Sequence, residues 1–83
     1  MKIHLKLYAT LSKYLPSAAK RNEIELTVDD STSVLDVLTS HNVPMETCHL
    51  ILVNGVFSPP ANAGTAMLKE GDTVAVWPPV AGG

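Results

Sequence analysis

Cysteine is nearly absent from this sequence, and long apolar runs are missing altogether. The 83 residues include one cysteine, Cys48, so no internal disulfide can form and the fold must depend on its core. No segment approaches the ~20 apolar residues that span a bilayer. Lys2, His4 and Lys6 interrupt the apolar N-terminal residues that a signal peptide requires. We therefore expect a cytoplasmic protein of a reducing compartment, with no membrane partner.

Charged residues are also few, at 17% of the chain with a net charge of −2. The cations are scattered along the sequence, namely Lys2, Lys6, Lys13, Lys20, Arg21 and Lys69. Because nucleic-acid binding needs a basic stripe that neutralises successive phosphates, no nucleic acid is expected as a partner. Apolar residues make up 46% of the chain, which is typical of one globular domain and not of a disordered segment.

The side-chain patterns that mark many enzymes are missing as well. The sequence has no glycine-rich phosphate loop, no H-E-x-x-H pattern and no cysteine pair for zinc, so no bound cofactor and no metal are expected. The three histidines fall on different predicted elements, and Asp29 and Asp30 precede a helix that they would cap. Cys48 has only His49 beside it. Neighbours on a strand point to opposite faces, so a small buried apolar residue is the favoured interpretation of Cys48.

Alternating apolar and polar residues predict strands over residues 2–8 and 23–28, which we expect to pair as a hairpin with a long connection. A short turn at 10–15 and a polar loop at 16–22 form that connection. Residues 49–53 are an apolar run that precedes Asn54-Gly55, the strongest short signal for a hairpin turn, because both turn positions need positive φ.

The remaining elements are one helix and a last strand. Ser33 and Asp36 have the spacing of a capping box, an apolar stripe follows, and Asn42 and Pro44 end the pattern, so a helix is predicted over about 33–41. Residues 73–77 form the last strand. The order β–β–α–β–β–β predicts an α+β domain over residues 1–77, with one main helix on a mixed sheet of four to five strands.

The tail Pro78-Pro79-Val80-Ala81-Gly82-Gly83 is not required by the core and holds no charged side chain. Pro78 and Pro79 favour an extended start and keep the tail off the sheet. Gly82 and Gly83 lack a Cβ and can enter a channel too narrow for other residues. Six residues reach roughly 20 Å, enough to enter another protein's active site. Because Gly83 is last, we expect its carboxylate to need no protease to release it. The alternative is an inert, frayed terminus.

The tail closely resembles that of the small subunit of molybdopterin synthase. Gly71-Asp72 before the last strand, Val53-Asn54-Gly55, and Leu7-Tyr8-Ala9-Thr10-Leu11 are similar to segments of the MoaD/ThiS family of ubiquitin-like sulfur carriers. The resemblance covers nearly the whole chain and implies a β-grasp, ubiquitin-like fold. The loop 58–66 departs from the family by lacking the polar residues that such carriers often place there.

The resemblance also implies a mechanism in which the chain is a carrier and not an enzyme by itself. An E1-like adenylating enzyme would use ATP to activate the carboxylate of Gly83, with Gly82 beside it. Sulfur from a persulfide would then give a C-terminal thiocarboxylate. A sulfur-accepting enzyme, such as the large subunit of molybdopterin synthase, would take that sulfur during molybdenum cofactor biosynthesis.

Partner binding is expected along the tail and on the sheet face opposite the helix. The residues assigned to it are Pro78, Pro79, Val80, Ala81, Trp77 and Tyr8. One set of side chains from residues 50–53 would complete an apolar patch on that face. The alternative is that the loop 58–66 covers these side chains.

Three functions remain open on the sequence. The first is a sulfur carrier, for molybdopterin or for thiamine or another pathway. The second is a ubiquitin-like modifier that joins Gly83 to lysines of target proteins. The third is a plain interaction module with an inert tail.

Overall fold

Five strands and one helix form two layers. The structure, a computed structural model, describes residues 1–79; the predicted tail residues Val80, Ala81, Gly82 and Gly83 lie outside the described residues. The elements are β1 (Lys2–Leu7), β2 (Glu23–Thr27), α1 (Val34–Ser40), β3 (Leu50–Val53), β4 (Val56–Phe57) and β5 (Thr73–Trp77). None of the helices within residues 1–79 is long and apolar enough to cross a bilayer.

The sheet has the strand order β2-β1-β5-β3-β4, so the last strand lies in its centre. β5 runs parallel to β1, with Leu7 beside Val76, and antiparallel to β3, with Leu50 beside Trp77. One end of the sheet, measured along the strands, therefore holds the end of β1, the start of β2, the start of β3 and the end of β5. We call it the tail-root end, because Pro78 follows β5 there.

Alternation along the strands places one set of side chains in a core between the sheet and α1. Ile3, Leu5 and Leu7 are fully buried, as predicted for the first strand. The central strands add Ile51, Val74 and Val76, and the helix adds Val34, Val37 and Leu38. The predicted α+β architecture and the mixed sheet are confirmed.

The helix begins and ends at its predicted signals. The Asp36 amide donates to Ser33 Oγ at 3.1 Å, and the Ser33 amide donates to Asp36 Oδ2 at 2.9 Å, which completes the capping box. Asn42 has φ 61°, the left-handed conformation that ends many helices. The helical residues, Val34–Ser40, are one shorter at each end than predicted because Ser33 and His41 are caps.

Two other segments refine the prediction. β1 ends at Leu7, one residue early, because Ala9 adopts a left-handed φ of 53° and turns the chain into a 3₁₀ segment over Ala9–Tyr14. The loop 58–66 packs on the helix side: the Leu35 and Val34 amides donate to the carbonyls of Ala63 and Ala66, each at 3.0 Å. This loop therefore does not cover the opposite face of the sheet.

The Asn54-Gly55 turn is confirmed, with φ values of 52° and 81°. The Asn54 side chain also joins the hairpin to the turn that precedes β5. Its Nδ2 donates to Asp72 Oδ1, and its Oδ1 accepts from the Thr73 amide, both at 2.8 Å. The second oxygen of Asp72 accepts from the Lys69 amide at 2.8 Å. These bonds connect the Asn54-Gly55 turn to the Gly71-Asp72 turn.

The Asn54 network yields a test with a matched control. Asn54 and Asn42 both have positive φ, which glycine tolerates. Of the two, it is the Asn54 side chain that forms hydrogen bonds with Asp72 and Thr73. We expect Asn54→Gly to lower the free energy of unfolding by about 1–2 kcal/mol, and Asn42→Gly to change it by less than about 0.5 kcal/mol. Urea denaturation measures both. Equal effects of the two substitutions would contradict a structural role for the network.

Candidate functional site: the open sheet face at the tail root

Two aromatic rings stack where β5 ends. The Tyr8 and Trp77 ring centroids are 4.4 Å apart with an angle of 4° between the planes. The backbone holds both residues: the Tyr8 amide donates to the Val76 carbonyl at 3.1 Å, and the His49 amide donates to the Trp77 carbonyl at 3.0 Å. The rings therefore form a fixed platform directly before Pro78.

An apolar surface extends from this platform across the face of the sheet opposite α1. Leu50 lies beside Trp77, and Leu52 lies between Ala75 and Phe57 in the strand register. Leu50 and Leu52 are half-buried, and the Phe57 side chain is 56% exposed. The predicted apolar patch at the tail root is therefore present in the structure. We call these residues, Tyr8, Leu50, Leu52, Phe57, Ala75 and Trp77, the open face.

Charged side chains occupy the other half of the same sheet surface, on β1 and β2. His4 Nδ1 lies 2.9 Å from Glu23 Oε2, and Lys6 Nζ lies 3.8 Å from Glu23 Oε1. Lys2 Nζ lies 3.9 Å from Glu25 Oε1. These pairs are partly exposed and add little to stability, but they give the surface a sharp border between an apolar and a charged half.

The sequence interpretation did not assign Ala75 or Phe57 to this surface, and Phe57 is its most exposed residue. The signal was available in the Asn54-Gly55 turn. A two-residue turn pairs Leu52 with Phe57, so both side chains must lie on one face. Among the predicted partner-binding residues, Tyr8, Trp77, Pro78 and Pro79 lie together at the tail root. Val80–Gly83 lie outside the described residues, and their roles stay predictions.

The cysteine considered in the sequence lies in the hydrophobic core. Cys48 is 3% exposed, and its Sγ donates to the Pro44 carbonyl at 3.6 Å. Burial raises the pKa of the Cys48 thiol; a hydrogen bond from the side chain of Thr47 opposes this rise, and the nearby Glu46 carboxylate adds to it. Within residues 1–79, no three histidine, cysteine or acidic side chains are placed to share a metal ion.

Sequence comparison identifies the family. The sequence model described as Mut7-C ubiquitin matches residues 1–82. The chain belongs to the Mut7-C ubiquitin family. It is 30% identical to the HVO 2177 protein of Haloferax volcanii, whose solution structure it matches with a TM-score of 0.72 over 100% of this chain and 87% of that one. No curated protein sequence matches the chain significantly.

More distant solved structures show the same fold. SAMP1 of Haloferax volcanii is 23% identical, with a TM-score of 0.68 and full coverage of both chains. A chain from the complex of subunits 1 and 2 of the molybdopterin-converting factor of Helicobacter pylori is 17% identical, with a TM-score of 0.63 and full coverage of both chains. This member of the Mut7-C ubiquitin family therefore has the ubiquitin-like β-grasp fold that its sequence predicted.

The buried thiol leads to a prediction. Because the raised pKa lowers the thiolate population and the core shields Sγ, we expect Cys48 in the native protein to react with a disulfide reagent at pH 8 at least about 100-fold more slowly than glutathione. The same protein in concentrated urea is the control and should react at close to the glutathione rate. Rapid labelling of the native protein would show that Cys48 is accessible.

Proposed function

We propose that this protein is a ubiquitin-like sulfur carrier whose Gly83 carboxylate is adenylated by an E1-like enzyme and converted to a thiocarboxylate. The observation that carries the proposal is the end of β5. The central strand of the sheet runs through the stacked Trp77 into Pro78 and Pro79, beside an exposed apolar surface. A carrier needs such a root, because its tail must leave a rigid body and enter a partner that holds the body.

The proposed chemistry consists of two substitutions at the same carbonyl. A Gly83 carboxylate oxygen attacks the α-phosphorus of ATP in the partner, pyrophosphate leaves, and an acyl adenylate forms. The terminal sulfur of a persulfide then attacks the Gly83 carbonyl carbon, and AMP leaves with its bonding electron pair. Reduction of the resulting acyl disulfide by a thiol releases the thiocarboxylate and forms a disulfide on the donor. The thiol is the reductant, so electrons balance.

The chain's own residues take no catalytic part in this scheme. Tyr8, Trp77 and the rest of the open face bind the partner, while Pro78, Pro79, Val80 and Ala81 lead Gly82 and Gly83 into its active site. Small side chains and two terminal glycines suit a narrow channel. ATP belongs to the activating partner, and this chain binds no cofactor in the proposal.

The proposed recipient of the sulfur is a large subunit of the molybdopterin synthase kind. The tail sequence supports it, as does the match to a chain from the Helicobacter pylori complex of molybdopterin-converting factor subunits 1 and 2. Thiamine synthesis or another sulfur-transfer route is the alternative within the carrier class.

A second candidate function is protein modification. Its support is the set of matched structures named small archaeal modifier protein 1, from Haloferax volcanii and Methanosarcina acetivorans. The acyl adenylate is common to both functions. They differ in the group that attacks the Gly83 carbonyl, which is sulfur in a carrier and a lysine amine in a modifier.

Mass spectrometry separates these functions. Protein produced with its native partners should show one oxygen of Gly83 replaced by sulfur. A purified E1-like enzyme of the same organism should catalyse ATP–pyrophosphate exchange that depends on this chain. One alanine added after Gly83 should abolish both signals, because the acceptor carboxylate is displaced, while urea denaturation stays unchanged. Branched Gly83–lysine peptides would favour the modifier. Unmodified protein that retains full function without Gly82 and Gly83 would leave only the interaction module.

The open face supplies a second test with a matched control. Phe57 and Met67 have similar exposure, 56% and 52%, but Met67 pairs with Ser33 on the helix side of the molecule. We expect Phe57→Ser to weaken binding of the activating enzyme about 10-fold, because an apolar contact is lost. Met67→Ser should leave the Kd within about 2-fold. Calorimetric titration measures both Kd values. Equal Kd values for the two variants would show that the open face does not bind the activating enzyme.

A further inference from the structure

Cations that are dispersed in the sequence gather at one end of the fold. The segment 9–22 holds Lys13, Lys20 and Arg21 and contains no acidic residue. It leaves the sheet after Leu7 and returns at Glu23, and these two ends lie at the tail-root end beside Val76 and Lys6. Half of the six cations in the sequence therefore belong to the segment that borders the exit of the tail.

The opposite end of the sheet is acidic. β2 ends beside Lys2, so Asp29 and Asp30 follow it there. The turn before β5 lies at the same end, because the Gly71 amide donates to the Lys2 carbonyl at 2.7 Å, and this turn brings Glu70 and Asp72. Lys2 and Lys69 offset half of these four carboxylates, so the chain is polarised along its strands with its more positive end at the tail root.

Arg21 occupies a conformation that does not favour arginine. Arg21 and Asn22 have φ values of 52° and 67°, and they form a two-residue turn. The turn is closed by hydrogen bonds between the backbones of Lys20 and Glu23, at 2.9 and 3.0 Å. Glycine or asparagine suits the first position of such a turn, whereas arginine is strained there. Strain of this kind is found where a side chain serves function more than stability.

The surroundings leave these cations available to a partner. Across the described part of the chain, the lysines that form ion pairs are Lys2 and Lys6. The Nζ of Lys13 lies 5.3 Å from the centroid of the Tyr14 ring. Glu23 is nearest in sequence to the turn, but His4 and Lys6 already engage its carboxylate. Glu46 precedes β3, which starts at the tail-root end on the other side of β5.

Between the cations the surface is concave. A hollow of about 310 Å³ is lined by Ser12, Leu15, Pro16, Ser17, Ala19 and Asn22. Along the sequence, Lys13 follows the lining residue Ser12. Lys20 and Arg21 lie between the lining residues Ala19 and Asn22. The hollow is large enough for a protruding side chain of a partner, and Lys13, Lys20 and Arg21 are sequence neighbours of its lining residues.

We infer that Lys13, Lys20 and Arg21 form a docking surface for an acidic patch beside the tail channel of the enzyme that activates Gly83. The partner's chemistry follows from charge complementarity, since the end of the molecule that must face the tail channel is the positive one. A protein fits better than a nucleic acid, because three cations neutralise few phosphates and the rest of the chain is acidic. The identity of the partner rests on the proposed function, whereas the preference of this surface for acidic side chains does not.

The test compares Arg21→Gly with Lys69→Ala, which removes the same charge from an exposed site at the acidic end. In ATP–pyrophosphate exchange with the activating enzyme at low salt, Arg21→Gly should lower kcat/KM about 3- to 10-fold through KM, with kcat unchanged. The triple variant with Lys13→Ala and Lys20→Ala should lose more and show a flatter salt dependence. Lys69→Ala should stay within about 2-fold of the wild type. Arg21→Gly should also raise Tm, which separates lost docking from misfolding.

Equal kcat/KM values and salt slopes for wild type, Arg21→Gly and the triple variant would overturn the inference. Absence of exchange with the wild type would instead reject the proposed function. An NMR titration of the full chain then decides the surface alone. A glutamate-rich peptide should shift the amides of residues 12–22 and not those of 69–72. A stronger effect from a DNA oligonucleotide of equal charge, or no localised shift, would overturn the acidic protein partner.

Discussion

The parallel pairing of β1 with β5 is the contact on which the rest of this structure depends. It joins residues about 70 positions apart, from His4 beside Thr73 to Leu7 beside Val76, and it places the last strand in the middle of the sheet. Val74 and Val76 are fully buried as a result. The segment from which the tail leaves is therefore anchored by the core of the domain, although it lies at the end of the sequence.

The same pairing decides what surrounds the tail. Because β1 and β5 both end at the tail-root end, the Tyr8 ring reaches Trp77. The segment 9–22 also starts and finishes there, next to Pro78. The antiparallel neighbour of β5, strand β3, then places Leu50 beside Trp77. The apolar half of the sheet surface, the charged half and the basic segment meet at this end because of strand order. No local feature of any one segment brings them there.

Local signals explain what the sequence could predict. The Ser33 and Asp36 capping box, Asn42 after the helix and the Asn54-Gly55 turn each depend on residues a few positions apart, and each lies where it was expected. Phe57 was missed although the turn implied its register. The separation of charge along the strands could not be predicted from the sequence. It depends on the pairing of β1 with β5, and an alternating pattern does not show which strands pair with each other. The roles of Gly82 and Gly83 rest on their chemistry and on resemblance.

The direction of β5 has a mechanical consequence. A pull on Pro79 along the strand axis loads β5 lengthwise, parallel to the strand beside it. Under a pull in this direction, the backbone bonds on both sides of β5 carry the load together in shear. A strand at the edge of the sheet would carry the same pull through backbone bonds on one side only. The central position of β5 thus lets the folded body resist a force that acts on the end of its last strand.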